Sequence, residues 1–210
     1  MFHLESPTID GIQSDVPIHK PQYVDNPLPN SPECQQIIDH LQLIEHREGG
    51  YFKETDRSPF YMHNPYNPDS PEVINTVGVD SKEITRNYST LIYYLITPFI
   101  PLGRMHRNRS RIIHILQKGS GQYVLVYPDG TVKTFRVGFD FAAGEVAQWV
   151  VPGGVWKASF ISDKDSHLLI SEVVVPGFEY LDHTFMEYAE LLKLVGEAKA
   201  QELKWLLGSQ

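Results

Sequence analysis

Three short apolar runs, separated by turn-forming residues, dominate the middle of this 210-residue sequence. The runs are rich in Ile, Val, Tyr and Phe, and they span Arg111–Gln117, Gly121–Tyr127 and Thr131–Val137. The separators are Lys118–Gly121 and Pro128–Gly130. Glycine supplies positive φ and proline presets the first turn position, so both separators predict tight turns. The pattern therefore predicts strands joined as an antiparallel meander.

Segments on either side have the composition of further strands and of helices. Thr90–Thr97 and Leu168–Val175 are β-branched runs that each end at a proline. Ser31–Glu33 is a helix start, and a helix is predicted from there to about His46. After Thr184 the apolar residues recur at helical spacing, with a break at Gly196. We predict an all-β sandwich or barrel with flanking N- and C-terminal helices, and such barrels commonly bind ligands at their mouth.

The chain divides into an arm and one domain. Residues 1–30 contain five prolines and no sustained periodicity, which predicts a disordered or extended arm. Residues 31–210 are predicted to form a single domain. Within it, residues 58–83 contain four prolines and several Asn and Asp residues, which favours a long surface loop.

Charge and cysteine content restrict the partners. The net charge of −8 argues against a nucleic-acid partner, which requires a basic surface. Four arginines between Arg104 and Arg111 are a local exception, either a solvated loop or an anion contact. Cys34 is the single cysteine, so no intrachain disulfide forms and a reducing compartment is favoured. With no apolar run of about 18 residues, we expect a cytoplasmic or nuclear protein with no membrane partner.

Four stretches resemble an uncharacterised cupin family, a domain of unknown function with bacterial and fungal members. They are His46–Thr55, Ser89–Leu95, Val151–Trp156 and Val175–Phe178, and they occur in the order found in that family. The sequence is most similar to the fungal branch, which includes an uncharacterised budding-yeast cupin. The resemblance implies a double-stranded β-helix, the jelly-roll barrel of RmlC-like cupins, and a homodimer. It implies no particular reaction.

The general cupin pattern places three histidines and a glutamate around a divalent metal, and only part of that set is present. Arg104 stands at the first histidine position, Ile112 at the glutamate and Lys157 at the last histidine. His106 remains, and His114 lies on the same strand face as Ile112. Two imidazoles would hold a metal loosely, because stable sites use three or four ligands. We expect no resident cofactor, with a divalent metal on His106 and His114 as the alternative.

Polar residues within apolar strands are the candidate ligand contacts. His106 and His114 either line a pocket or are core histidines whose ring nitrogens are satisfied. Lys157 inside a barrel would need a partner, which a histidine or Glu172, the single acid of its strand, would supply. Lys157 and Arg104 would then contact an anionic group of the ligand. The alternative for Lys157 and Glu172 is an outward orientation.

A further carboxylate and three aromatic residues complete the candidate site. Glu54 is either an acid or base at the pocket mouth or the ion-pair partner of Arg57 or Arg47, and the ion pair is favoured. Trp156 would form a stacking wall, and core packing is its alternative. The aromatic candidates are Tyr51, Tyr93 and Trp156.

Three functions stay open, and the sequence does not decide whether the protein is an enzyme. The leading hypothesis is a metal-independent cupin that binds a small polar or anionic molecule and isomerises or epimerises it, as the resemblance to metal-free epimerases of the superfamily suggests. His106 would be its base and Glu54 or a tyrosine its acid. The second is a metal-dependent oxygenase or isomerase, which metal content would reveal. The third is a storage-like protein whose barrel side chains leave no interior pocket.

Overall fold

A computed structural model describes residues 16–67 and 84–208. This part of the chain consists mainly of short β-strands, with one helix before the barrel and one after it. The strands are β1 (Ile44–Glu45), β2 (Tyr51–Arg57), β3 (Tyr61–His63), β4 (Thr85–Asn87), β5 (Thr90–Ile96), β6 (Leu102–Asn108), β7 (Arg111–Gly119), β8 (Gly121–Val126), β9 (Val132–Val137), β10 (Gln148–Val151), β11 (Trp156–Phe160), β12 (Leu168–Val175) and β13 (His183–Phe185). The helices are α1 (Pro32–Leu41) and α2 (Tyr188–Leu203), and a 3-10 turn over Lys204–Leu207 follows α2.

Two antiparallel sheets form the barrel. The first has the strand order β1-β2-β5-β12-β7-β10, and the second has the order β13-β6-β11-β8-β9. Their facing sides meet in one apolar core that includes Trp149 from the first sheet and Tyr123 and Phe135 from the second. β3 and β4 pair separately as a two-stranded antiparallel sheet. The arrangement is the predicted all-β jelly roll with flanking helices.

The three apolar runs at the centre of the sequence are strands β7, β8 and β9, but they do not form a simple meander. β8 pairs with β9, whereas β7 lies between β12 and β10 in the other sheet. Gly119, at φ 80°, packs so tightly on the backbone carbonyl of His167 that no side chain would fit. The predicted pairing of the first two runs is wrong, because the Lys118–Gly121 turn carries the chain from one sheet to the other.

The helices follow their predicted signals, with one difference in length. Ser31 caps α1, which ends at Leu41 because Gln42 adopts the left-handed conformation at φ 55°. The predicted extension to His46 is therefore too long. α2 is interrupted at Gly196, as predicted, where φ is 75° and ψ 169°. None of the helices within the described ranges has the length and apolar character needed to cross a membrane.

Helical segments cover the outer face of each sheet. Apolar side chains are therefore buried on the outer faces of the strands as well as inside the barrel. α1 and the residues after it pack Ile38 and Leu43 against Tyr51 and Leu95 of the first sheet. The C-terminal segment packs its apolar residues on the outside of the second sheet. Those residues are Leu191, Ala200, Leu203, Leu206 and Leu207, which join Met105 and Trp156 in one buried cluster.

Residues 16–30 run along the domain surface in an extended path. The Tyr23 hydroxyl donates to the Ile161 carbonyl at 2.7 Å, and the Leu28 amide donates to the Pro98 carbonyl at 3.1 Å. The rest of the predicted arm lies outside the described residues. The predicted loop over residues 58–83 contains strand β3, and its residues 68–83 likewise lie outside the described part of the chain.

Candidate functional site

Strand register brings three polar residues together inside the barrel. His114 of β7 lies directly opposite Glu172 of β12 in the first sheet. Lys157 enters from β11 in the second sheet, opposite His106 of β6. We call His114, Lys157 and Glu172 the barrel cluster. All three are buried, so each polar atom needs a partner from the protein.

The barrel cluster is held by its own hydrogen bonds. The Lys157 ammonium lies 3.0 Å from Nε2 of His114 and donates to both Glu172 oxygens, at 3.2 and 3.0 Å. The His114 ring stacks on Trp149 at 5.0 Å between centroids, with 8° between the planes. The Lys157–Glu172 pairing expected from the sequence is confirmed, and it explains how a lysine is accommodated inside a barrel.

The charges of the barrel cluster lie on the Glu172 carboxylate and the Lys157 ammonium. Burial opposes ionisation of Glu172, but Lys157 and His114 together lower the pKa of its carboxyl to about 2. Burial, together with Lys157, lowers the pKa of His114 below its ordinary value. At neutral pH the cluster therefore contains an ionised carboxylate and a neutral imidazole whose Nε2 accepts from the lysine.

A second group of polar residues lies at the barrel mouth, and its first member comes from the turn between β1 and β2. Gly49, at φ 97°, leaves no space for a side chain beside the Leu102 carbonyl. The Glu48 carbonyl accepts from the Arg104 amide at 2.7 Å, and the Tyr94 hydroxyl donates to the Gly49 carbonyl at 2.8 Å. These contacts fix the turn against the barrel and leave the Glu48 side chain buried.

Two histidines face Glu48 from adjacent strands of the second sheet. Nε2 of His106 lies 3.3 Å from one Glu48 oxygen, and Nε2 of His183 lies 2.8 Å from the other. The two rings stack at 5.1 Å between centroids. One ligand-capable atom from each of these residues lies within 4.8 Å of the other two. We call Glu48, His106 and His183 the mouth cluster.

A buried ion pair supports the position of His183. Arg86 of β4 donates to both oxygens of Asp182, at 2.8 and 3.1 Å, and both side chains are buried. The Arg109 amide donates to the Asp182 carbonyl at 3.0 Å. Because Asp182 directly precedes His183, these bonds fix the backbone from which the imidazole projects.

Burial acts in opposite directions on the pKa of the Glu48 carboxyl and on that of the His106 imidazole. It opposes ionisation of Glu48, but His106, His183 and His46 together hold the pKa of the Glu48 carboxyl well below its usual range. Burial lowers the pKa of His106 to about 4, although Glu48 acts in the opposite direction. The cluster at neutral pH is thus a carboxylate beside a neutral His106 imidazole.

A cavity of about 230 Å³ opens beside both clusters. Glu48 and Glu172 reach its wall, together with the Asn108 side chain and the apolar side chains of Ile92 and Val174. At its rim, Arg57 makes ion pairs with Glu54 and Glu179, at 2.8 and 2.9 Å. The predicted Glu54–Arg57 ion pair is therefore confirmed, and the guanidinium is already bound by carboxylates.

Several predicted site residues face away from this cavity. Arg104 donates to the Leu207 carbonyl at 2.9 Å and lies over the Phe185 ring. Trp156 packs in the cluster under the C-terminal helix, beneath the Arg107 guanidinium. Tyr51 and Tyr93 contact the cluster under α1.

Successive side chains of a β-strand point to opposite faces of the sheet, and this alternation explains these orientations. Lys157 points inward, so its neighbour Trp156 points outward, and Tyr93 lies outside for the same reason beside the inward Tyr94. Arg104 and His106 would share a face in a regular strand, but the β6–β11 register shifts between Lys157 and Ser159. This bulge separates them, so that only His106 points toward the barrel.

The metal site expected from the general cupin pattern does not fit this barrel. Ile112 offers no ligand atom, and the Lys157 ammonium lies where an imidazole would have to bind the ion. Nε2 of His114 accepts from that ammonium rather than facing His106. A metal on the predicted pair of His106 and His114 would therefore have to displace that ammonium from Nε2 of His114. The residues that could hold a metal are those of the mouth cluster.

Sequence reasoning missed His183 and gave Glu48 no role. The mouth cluster is assembled from a turn and two strands that are far apart in sequence, so no local spacing reveals it. A usable signal was the turn His46–Gly50, because two consecutive glycines after Glu48 indicate a backbone held tightly against its surroundings. For His183 the sequence offers no comparable signal.

Comparisons with known proteins agree with this architecture. The Cupin_5 family, described as cupin superfamily (DUF985), matches residues 35–186. The uncharacterised Saccharomyces cerevisiae protein YML079W is 56% identical over 194 residues, which cover 90% of this chain and 94% of that protein.

A hypothetical protein from Leishmania major is similar in structure, with 28% identity, a TM-score of 0.63, and coverage of 76% of this chain and 90% of its own. Protein SO0799 from Shewanella oneidensis has a TM-score of 0.67 at 24% identity, over 87% of this chain and 100% of its own. The chain belongs to the Cupin_5 (DUF985) family of the cupin superfamily.

Proposed function

We propose that this cupin binds a small, polar, hydroxyl-bearing molecule in the cavity at its barrel mouth. The observation that carries the proposal is a cavity wall built from hydrogen-bond acceptors. Oδ1 of Asn108 is buried and has no hydrogen-bond partner among the described residues, and Glu48 and Glu172 contribute carboxylates beside it. A ligand that donates hydrogen bonds would satisfy Oδ1 of Asn108 and the Glu48 carboxylate, and apolar contacts with Ile92 and Val174 would exclude water from them.

The charges around the cavity favour an uncharged ligand over an anionic one. Four lining residues are glutamates, namely Glu48, Glu54, Glu172 and Glu179. The nearby cations, Arg57 and Lys157, already bind carboxylates. An anion would therefore meet net negative charge. Arg104, the other predicted anion contact, faces the C-terminal segment instead.

The cavity also supports a ligand-binding protein over a barrel filled by its own side chains. If the bound molecule is transformed, Glu48 is the carboxylate placed to exchange a proton with it, because both Glu172 oxygens already accept from Lys157. Glu54 is bound at the rim by Arg57, and its two oxygens accept at 2.9 and 2.8 Å. We therefore assign the acid–base role to Glu48 rather than to Glu54.

A thermal-shift screen tests the proposal. Neutral polyols and sugars would be compared with sugar phosphates and dicarboxylates, using the wild-type protein and Ile92→Trp, which fills the cavity. Tyr93→Phe is the matched control, because Tyr93 lies on the same strand but on its outer face. We expect neutral ligands to raise the melting temperature of the wild type and of Tyr93→Phe only. Stabilisation by anions alone, or equal shifts in Ile92→Trp, would contradict the proposal.

We propose in addition that two copies associate, as the family resemblance suggests. Three aromatic residues around the β3–β4 sheet are exposed, with Phe60 at 68%, Tyr61 at 62% and Tyr88 at 52%. A second copy would cover this patch and remove its apolar area from water. Light scattering with size exclusion should give a dimer for the wild type and a monomer for Tyr61→Glu. A monomeric wild type would refute the association.

A cytoplasmic or nuclear location is also proposed. It is supported by the single cysteine, Cys34, which is buried as a free thiol in α1. Microscopy of a fluorescent fusion would test it, and a signal in a secretory compartment would contradict it.

A further inference from the structure

We propose that Glu48, His106 and His183 form a binding site for one divalent transition-metal ion, a ligand set that shares only His106 with the general cupin pattern. All three residues are buried, and they come from the β1–β2 turn, β6 and β13. The inference goes beyond the proposed ligand binding and does not depend on it.

The hydrogen bond made by His106 shows which of its ring nitrogens carries the proton. Nδ1 of His106 lies 2.6 Å from the Arg104 carbonyl, which can only accept, so Nδ1 carries the proton. Nε2 therefore presents a lone pair toward the Glu48 carboxylate at 3.3 Å. Two acceptors that face each other in a buried site repel unless a cation lies between them.

The histidine nitrogens facing Glu48 have no hydrogen-bond partner in the described part of the chain. Within the described ranges, Nε2 of His106 and Nε2 of His183 are buried and form no hydrogen bond. The 2.8 Å approach of His183 to Glu48 is short, but it lies off the N–H direction. Both nitrogens therefore lie within 3.3 Å of the carboxylate without the geometry of a hydrogen bond to it.

The spacing and ligand types indicate the class of metal. Ligand atoms about 2.0–2.2 Å from a tetrahedral or octahedral ion lie roughly 3–3.5 Å apart. The Glu48–His106 and Glu48–His183 distances, 3.3 and 2.8 Å, are close to that range. Two imidazoles and one carboxylate suit Zn²⁺, Fe²⁺ or Co²⁺ rather than Ca²⁺ or Mg²⁺, which prefer oxygen ligands. Three protein ligands would leave a position for water or another molecule.

The two histidines are supported differently, because Nδ1 of His183 is buried without a hydrogen-bond partner among the described residues. The Arg104 carbonyl orients His106, and the Arg86–Asp182 pair fixes the backbone of His183. A carbonyl that accepts from the other ring nitrogen, as at His106, sets the orientation of a metal-bound histidine. His46 lies beside Glu48, with its Nδ1 at 3.5 Å from the carboxylate, and accepts from the Glu48 amide, so it acts as a neighbour of the site.

Titration of chelator-treated, untagged protein with Zn²⁺, followed by calorimetry and elemental analysis, tests the inference. Glu48→Gln and Glu172→Gln make the same chemical change at similar burial, 7% and 6%, in the two clusters. We expect the wild type and Glu172→Gln to bind about one ion per chain, and Glu48→Gln to bind at least about 100-fold more weakly. His183→Ala should show the same loss.

Visible absorption of bound Co²⁺ provides a second readout, which should change in Glu48→Gln and persist in Glu172→Gln. Far-UV circular dichroism of each variant confirms folding, and Glu48→Gln carries the test if His183→Ala fails to fold. No stoichiometric binding by the wild type, or equal affinity in Glu48→Gln, would overturn the inference. Because neither experiment includes a cavity ligand, its failure would leave the proposed function intact.

Discussion

The barrel cluster and the mouth cluster are buried to a similar degree but differ in how their charges are balanced. In the barrel cluster, the Lys157 ammonium lies between a carboxylate and an imidazole, within 3.2 Å of each. In the mouth cluster, the Glu48 carboxylate faces two imidazole nitrogens that make no hydrogen bond. The first group contains its own cation, and the second does not.

This difference separates a structural role from a binding role. A buried carboxylate that already has its cation needs none from a ligand. A network that lacks a cation is stabilised by acquiring one. Lys157 therefore completes the barrel at a position where the general cupin pattern has a metal-binding histidine, and the capacity to bind metal lies instead in the mouth cluster.

The largest expected effect comes from breaking the barrel cluster. Lys157→Met leaves the buried Glu172 carboxylate without its cation, and we expect the free energy of unfolding to fall by about 3–5 kcal/mol. Urea denaturation measures this. Lys118→Met is the control, because Lys118 pairs with Glu33 on the exposed surface, where the loss of an ion pair should change the free energy of unfolding far less. Similar losses in both variants would show that Lys157 is not needed to neutralise Glu172.

Acid should weaken the same cluster. The pKa of Glu172 is about 2 in the folded protein and 4.5 ordinarily, so its contribution is complete above pH 4.5 and disappears as pH falls toward 2. That contribution is roughly 3 kcal/mol. Urea unfolding of the wild type and Glu172→Gln at several pH values measures the difference. We expect the stability gap between them to shrink on acidification, and a gap that does not change with pH would contradict the assignment.

Metal should stabilise the protein through the mouth cluster alone. Zn²⁺ at about one hundred times its dissociation constant should add about 2.7 kcal/mol to the free energy of unfolding of the wild type. The gain should persist in Glu172→Gln and vanish in Glu48→Gln, as measured by urea unfolding with and without Zn²⁺. A gain of equal size in Glu48→Gln would place the ion elsewhere.

A conservative substitution of Arg86 should weaken metal binding, because the Arg86–Asp182 ion pair fixes the backbone next to His183. Arg86→Lys retains a positive charge but loses the two-point contact with Asp182. We expect Zn²⁺ affinity to fall by about 10-fold, as calorimetry would show. Arg57→Lys, at the cavity rim, is the matched control and should leave affinity unchanged. Equal Zn²⁺ affinities for Arg86→Lys and the wild type would show that the Arg86–Asp182 pair does not support the metal site.

The smallest effect is expected at the rim. Glu54→Gln weakens a partly exposed ion pair with Arg57, and we expect a change of less than about 1 kcal/mol in the free energy of unfolding. Urea denaturation beside Glu172→Gln measures it, and a loss as large as that of Glu172→Gln would assign Glu54 a structural role.

Strand content, helix starts and breaks, and the Lys157–Glu172 pairing could be predicted from the sequence. Each depends on local composition or on the requirement that a buried charge has a partner. The strand partners of β7 and β8 could not be predicted, because a short turn is compatible with pairing and with a crossing between sheets. The directions of Trp156 and Tyr93 depend on strand parity, in which an error of one residue exchanges inside and outside.

The candidate site was harder to predict than the fold. His106 was identified, but its partners Glu48 and His183 come from a turn and a strand that only tertiary packing brings together. Arg104 was placed with His106 because the bulge in β6 leaves no mark in the sequence. Sites built from separate segments have no spacing signature, and the general cupin motif pointed to a set of positions that this chain has filled differently.

The most direct test of the account is a crystal of the protein soaked in Zn²⁺, with data collected at the zinc absorption edge to locate the ion. A zinc ion bound by the mouth cluster should give one anomalous peak about 2.0–2.2 Å from an oxygen of Glu48 and from Nε2 of His106 and His183, with the barrel cluster unchanged. A peak bound to His114, or no peak in the barrel or at its mouth, would contradict the central claim.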